Sequence, residues 1–248
     1  MFGLIVVIIL GYIGYRYSKR GTPRKEPGWR FSGPVYAPSS SMPTTRAQQR
    51  GETGEAVVDA ELRRVLTWLC GDDFHLHAGA VLIEHAPGTP FPTAEIDHML
   101  VTPFGLFVIE TKNWRGRIVH GMGYDDLEVV RADGTRETRR SPLAQNRTKV
   151  AFLNEKLPRV WRIEGVGVFA SPDCSLDGDL SPSLLHVTEL AYFFRMRRHE
   201  YLRSGQKPVN IKTAWDAIML NASVSDEKLD EHRKRVRANP QVSPINAD

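Results

Sequence analysis

The chain has 248 residues, enough for one ordinary domain with extensions or for two small domains. Its 41% apolar and 25% charged shares suit a soluble globular protein and exclude a fibrous or wholly disordered one. The net charge of +4 misleads, because residues 1–50 hold eight of the 33 Lys/Arg and one of the 29 Asp/Glu, leaving 25 against 28, a net −3, so whole-chain charge is no argument for nucleic-acid binding.

Residues 2–15 (FGLIVVIILGYIGY) form a nearly unbroken apolar run. It is shorter than the roughly 18–20 residues that usually span a bilayer. No cation precedes it and no small-residue cleavage site follows, so it does not read as a cleaved signal peptide. Tyr12, Tyr15 and Tyr17 fit an interfacial belt, and Arg16, Lys19, Arg20, Arg24 and Lys25 follow at once. The expectation is a single-pass anchor over 1–17, N-terminus outside and the remainder cytoplasmic. Residues 18–47, rich in Pro, Ser, Thr and basic residues, read as a disordered tether.

From about Gln48 the pattern turns helical, with Val58, Leu62, Val65 and Leu69 on one stripe and Gly71-Asp72-Asp73 at its end. Glu55 continues that stripe toward the sheet, flanked by Gly51 and Gly54; its plain alternative is a helix-start carboxylate favoured by the macrodipole. A strand is expected near 78–85. Residues 95–114 (EIDHMLVTPFGLFVIETKNW) then read as a hairpin turning at Thr102-Pro103-Phe104-Gly105. Further strands are expected at 116–121 and 127–131, with a turn at Asp133-Gly134. Ser141-Pro142 opens a helix with stripe Leu143, Val150, Leu153 and Leu157. Strands follow at 166–170 and 184–187. Thr188 is expected to cap a helix over 189–203, and helices are expected near 211–221 and 226–237. This order predicts an α/β fold, a mixed sheet covered by helices. One folded unit is expected over 48–205 and a helical extension over 206–248. There is no solenoid-period repeat, GxSxG, P-loop or dinucleotide fingerprint. Cys70 and Cys174 lack ligand spacing and read as buried thiols in a reducing compartment. His75 and His77 share a strand face without a third ligand at suitable spacing, so packing or surface roles are expected.

The apolar hairpin is interrupted by Asp97, Glu110 and Lys112. In a strand Glu110 and Lys112 share a face. If Val101 faces Leu106, Asp97 falls opposite Glu110, roughly 4.5–5.5 Å apart at Cβ. If Gly105 forms a bulge, Asp97 faces Thr111 instead. Two readings are open: a solvated hairpin end with a Glu–Lys pair, or two carboxylates awaiting a divalent cation.

Gly51-Glu52-Thr53-Gly54-Glu55, Glu95-Ile96-Asp97-His98, the run 105–113 with Gly116, and Ser141-Pro142-Leu143-Ala144-Gln145-Asn146 together resemble the NERD (nuclease-related) domain, placed in the PD-(D/E)xK nuclease superfamily. The resemblance covers about residues 48–160. It implies a restriction-endonuclease-like mixed sheet flanked by helices. It also implies Asp97 and Glu110 as ligands of Mg²⁺ (or Mn²⁺), Lys112 as catalytic lysine, Glu55 as a carboxylate binding or orienting the metal site, and Gln145 as a site or substrate contact. Two departures stand out. Ser141-Pro142 replaces a common Asn-Pro, and where related RecB-type nucleases have Gln-x-x-x-Tyr this chain has Gln145 and Lys149. Arg140, Arg147 and Lys149, with Arg136 and Arg139, form either a phosphate-contacting rim or a solvated face. The resulting expectation is a membrane-anchored, Mg²⁺-dependent nuclease that hydrolyses phosphodiester bonds of DNA or RNA through a metal-activated water. The alternative is a catalytically inactive nucleic-acid- or protein-binding module on a nuclease scaffold.

Overall fold

The computed structural model describes residues 46–238. The expected anchor over 1–17 and all but the last two residues of the expected tether lie outside them. No helix among the described residues is long and apolar enough to cross a membrane.

Gly105–Lys112 is the centre of the architecture. This strand, β5, is buried along its whole length except at Lys112. A strand buried on both faces must be covered on both. Its hairpin partner is β4 (His98–Thr102), antiparallel to it, and β1 (His75–Leu76) lies outside β4. On the other side run β9 (Ile163–Phe169) and β11 (Leu184–His186), both parallel, giving a five-stranded mixed sheet. One face of it is covered by α1 (Arg46–Cys70) and α3 (Leu190–Ser204). Val58, Leu62 and Val65 of the expected stripe, joined by Leu66, pack there on Leu100, Phe107, Ile109 and Phe194. The opposite face is covered by α2 (Pro142–Lys156) and α4 (Ile211–Met219), with Leu106 and Val108 against Phe152, Leu153, Ala214 and Ile218.

Two smaller sheets flank this layer. β6 (Gly116–His120), β7 (Asp126–Val130) and β8 (Arg136–Arg140) form a meander, with β10 (Cys174–Leu176) parallel to β6. β2 (Val81–Ile83) is sandwiched between β3 (Ala94–Ile96) and β12 (Ala222–Ser223). The last helix, α5 (Asp226–Arg237), packs on β3. Residues beyond 205 thus share the core of the preceding ones, since Val209, Ala214 and Ile218 sit with Val101 and Val108.

Several elements depart from the sequence reading. The strand expected over 78–85 shrinks to Val81–Ile83. Strands β10 and β12 carry no legible period because they are only three and two residues long. Thr188 does not cap the helix expected at 189. His186 instead caps a single 3₁₀ turn over Val187–Glu189, with the Glu189 carboxylate accepting the His186 N–H at 2.8 Å, and α3 follows from Leu190. The first arm of the hairpin is also not one strand. It splits at Asp97 into β3, paired with β2, and β4, paired with β5.

α2 lies close to β9 because Gly165 and Gly167 present no side chain to it. A Cβ at Gly167 would stand 2.7 Å from both Pro142 Cβ and Leu184 Cδ2. Gly167→Ala is expected to destabilise the fold by about 1–3 kcal/mol through overpacking, read as a lowered urea midpoint.

Candidate active site

The register left open by the sequence is set by Val101 facing Leu106 and Thr102 facing Gly105, so the chain reverses without a bulge. The Thr102 hydroxyl fixes the turn by donating to Gly105 O at 2.8 Å. Ladder pairing nevertheless stops at His98–Ile109. Asp97 occupies the bend and does not complete a cross-strand pair with Glu110. Its carboxylate turns to the backbone of β5, where Thr111 N–H donates to Oδ2 at 2.7 Å. The buried His98 ring meets the hydroxyl of the same threonine at 3.1 Å. Thr111 is therefore the anchor of the bend. The sequence offered Thr111 to Asp97 only in the bulged register; here the contact is made in the unbulged one, through the Thr111 backbone.

Leu106 and Val108 face α2, and strand alternation puts Glu110 and Lys112 on that same face. On α2, Gln145 and Lys149 are one turn apart and follow the same rule. The four side chains interlock. Lys112 Nζ donates to Glu110 Oε1 at 2.8 Å and to Gln145 Oε1 at 3.0 Å, while Lys149 Nζ donates to Glu110 Oε2 at 2.6 Å. Gln145 Nε2 in turn donates to Arg140 O at 3.1 Å. α2 is locked in depth by the fully buried Asn146, whose Nδ2 donates to Val108 O at 2.9 Å and Val166 O at 3.1 Å. The sequence reading had not given Asn146 this role.

Glu55 reaches the site from the first turns of α1. That helix already begins at Arg46, so the flanking glycines do not mark a late start. Gly54 allows close approach instead, for a Cβ there would sit 3.0 Å from Asn113 Cβ; Gly51 faces open space. The Glu55 carboxyl is pushed up to about 8, chiefly by burial and then by the charges of Asp97 and Glu95. Asp97 is pushed up to about 7, by burial first and then by Glu110, although Lys149, Lys112 and the Thr111 N–H oppose the shift. Burial also pushes Glu110 upward, but Lys112 and Lys149 outweigh it and hold Glu110 near 2. Burial works against the Lys112 ammonium, yet Glu110 and Asp97 overcome it and raise its pKa. Glu95 itself is held by Arg233 of α5, with Nη2 at 2.6 Å.

The lysine expected on an outer rim is thus inside. Lys149 is buried against Glu110, whereas Arg140 and Arg147 are exposed. Arg147 pairs with Asp125 and its guanidinium lies 5.5 Å from the Tyr124 ring centroid. Among the described residues no third ligand joins His75 and His77; both rings lie against Trp215, at 4.1 and 5.3 Å between centroids. Cys70 and Cys174 are free and partly buried.

Among the described residues, no three His, Cys, Asp or Glu converge as a ready cation cage. Mg²⁺ does not require one, since one or two carboxylates with waters and phosphate oxygens suffice. The donor chemistry fits such a hard cation. Asp97, Glu55 and Glu110 are carboxylates close enough that Glu55 is raised by the charges of Asp97 and Glu110, and Asp97 by that of Glu110.

No curated protein and no solved structure is significantly similar to this chain. A family model does match it, that of the nuclease-related domain, over residues 50–170. The match contains Glu55, Asp97, Glu110, Lys112, Gln145 and Lys149, and ends before α3, α4 and α5. The segment that builds the whole carboxylate–lysine cluster, residues 50–170, belongs to the NERD (nuclease-related domain) family.

Proposed function

We propose that this chain is a Mg²⁺- or Mn²⁺-dependent nuclease that hydrolyses phosphodiester bonds in DNA or RNA, on a restriction-endonuclease-like sheet, anchored to the membrane through residues 2–17 with its domain in the cytoplasm. The observation that carries the reading is the joint placement of Lys112 and Glu110 at the end of the buried central strand. Lys112 Nζ there bridges Glu110 and Gln145, beside an Asp97 carboxylate fixed by Thr111 N–H. Asp97 and Glu110 would hold the cation, with Glu55 next to them. When bound, the cation supplies charge stabilisation at the phosphate and activation of the attacking water. Lys112 orients that water or holds a phosphate oxygen, and Gln145 aims the ammonium. Asn146 keeps α2 close enough for both contacts. The exposed Arg140 and Arg147 flank Gln145 and form the phosphate-contacting edge.

The test is cleavage of single- and double-stranded DNA and RNA by the full chain with Mg²⁺ or Mn²⁺. Activity that chelator and Asp97→Ala both abolish is the expected result. Binding without cleavage, indifferent to chelator and to Glu110→Ala, supports a catalytically inactive nucleic-acid-binding module instead.

A further inference from the structure

Glu110 enters the structure with both oxygens already taken. Lys112 occupies Oε1 at 2.8 Å and Lys149 occupies Oε2 at 2.6 Å. The two lysines differ in what else they hold. Lys112 also donates to Gln145, so it keeps a partner if Glu110 turns away. For Lys149 the acceptor among the described residues is Glu110, and its side chain is only 9% exposed. The buried ammonium fills one of the two lone-pair sites on Oε2, so a divalent cation bound to that oxygen would sit close beside it. Two cations on one carboxylate oxygen repel strongly at low dielectric.

We propose that Lys149 is a displaceable counter-cation of the site: it holds Glu110 Oε2 in the metal-free protein and must leave that oxygen when a divalent cation binds, so that it sets how tightly the cation is held. This rests on the proposed metal-dependent function and adds to it a built-in competitor. The helix register makes the exchange local. Lys149 lies one turn beyond Gln145 on α2, and Asn146 pins that helix to β5 and β9, so the ammonium moves by side-chain rotation while the helix stays in place. Removing the ammonium leaves Glu110 still paired with Lys112, which keeps one oxygen satisfied.

The experiment is calorimetric titration of Mg²⁺ and Mn²⁺ into the full chain, wild type against Lys149→Met. Loss of the competing charge-assisted bond is expected to tighten the cation roughly tenfold or more. Unchanged or weaker binding in Lys149→Met, with measurable binding in wild type, overturns the proposal and leaves the metal-dependent function standing. Absence of binding in both proteins overturns the two together. Should Lys149→Met not fold, the wild-type protein with ¹⁵N-labelled lysine decides. The Lys149 ammonium signal is expected to be protected without Mg²⁺ and to shift and exchange with water as calorimetric saturation is reached. A signal that ignores saturation overturns the proposal.

Discussion

Replacing Lys112 by methionine is expected to reduce metal-dependent cleavage about a thousandfold, the scale on which positioned proton-transfer and charge-stabilising groups act. The Lys112 ammonium is the group that joins the end of β5 to Gln145 on α2. Methionine preserves the length and apolar stem of the side chain but leaves Gln145 Oε1 without its lysine donor. It also withdraws one of the two cations that hold Glu110 ionised against burial. Stability falls too, by about 1–3 kcal/mol, because a buried carboxylate loses a charged hydrogen bond. Lys149 remains on the other oxygen, so the fold survives and activity is lost from a folded protein. Arginine is not expected to restore activity, since a planar five-donor fork does not fit between two acceptors that a compact ammonium bridges. Near-wild-type cleavage by Lys112→Met, with its melting temperature recorded alongside, contradicts the assigned role.

Much of this site was legible because strand and helix periods project directly onto faces. Glu110 and Lys112 two apart, and Glu55 in line with Val58 and Leu62, are placements that follow from those periods, whereas Gln145 entered through the family resemblance. The hairpin turn was legible too, although Pro103 and Gly105 permitted two closures; the one adopted is fixed by the Thr102 hydroxyl and buries Leu106 and Val108 against α2. Contacts that depend on non-local approach were not legible. The bend at Asp97 arises because β3 and β4 belong to different sheets, which no local pattern encodes. Lys149 read as a rim residue because a lysine four positions after Gln145, beside Arg147, has the composition of a solvated face. The glycines of β9, which let α2 come close, and Asn146, which pins it there, carry it inside. Arg233 lies 138 positions from Glu95, a separation that no local pattern spans.

Asp97→Asn is expected to make the metal-free protein more stable at pH 8 while abolishing cleavage. The folded pKa of Asp97, about 7, exceeds its ordinary 3.8, and that of Glu55, about 8, exceeds 4.5. Between those limits the folded state holds protons that the unfolded chain releases. The resulting stabilisation is fully present below about pH 4 and is lost as pH rises through about 7 and 8. Glu110 has the opposite sign, for its folded value near 2 lies below 4.5, so its contribution is present above 4.5 and lost as pH falls through 2. Without metal, stability should therefore decline from about pH 4 to about pH 8 and then level off, as two half-buried carboxylates become ionised beside Glu110. Asparagine keeps the bend, because its side-chain oxygen still accepts the Thr111 N–H, and removes one of the charges. The gain at pH 8 is on the order of 2 to 4 kcal/mol; it should be small by pH 4, close to the ordinary Asp value of 3.8, and vanish below it, where Asp97 is protonated in either state. Mg²⁺ should raise the wild-type melting temperature at pH 8 and do so far less in the variant, because the cation neutralises the charge that the substitution removes. Melting curves at pH 4 and 8, with and without Mg²⁺, check all of this. A variant less stable than wild type at pH 8 without metal would show that Asp97 is held ionised by its neighbours. The strain between function and stability placed on this carboxylate would then have to lie elsewhere in the cluster.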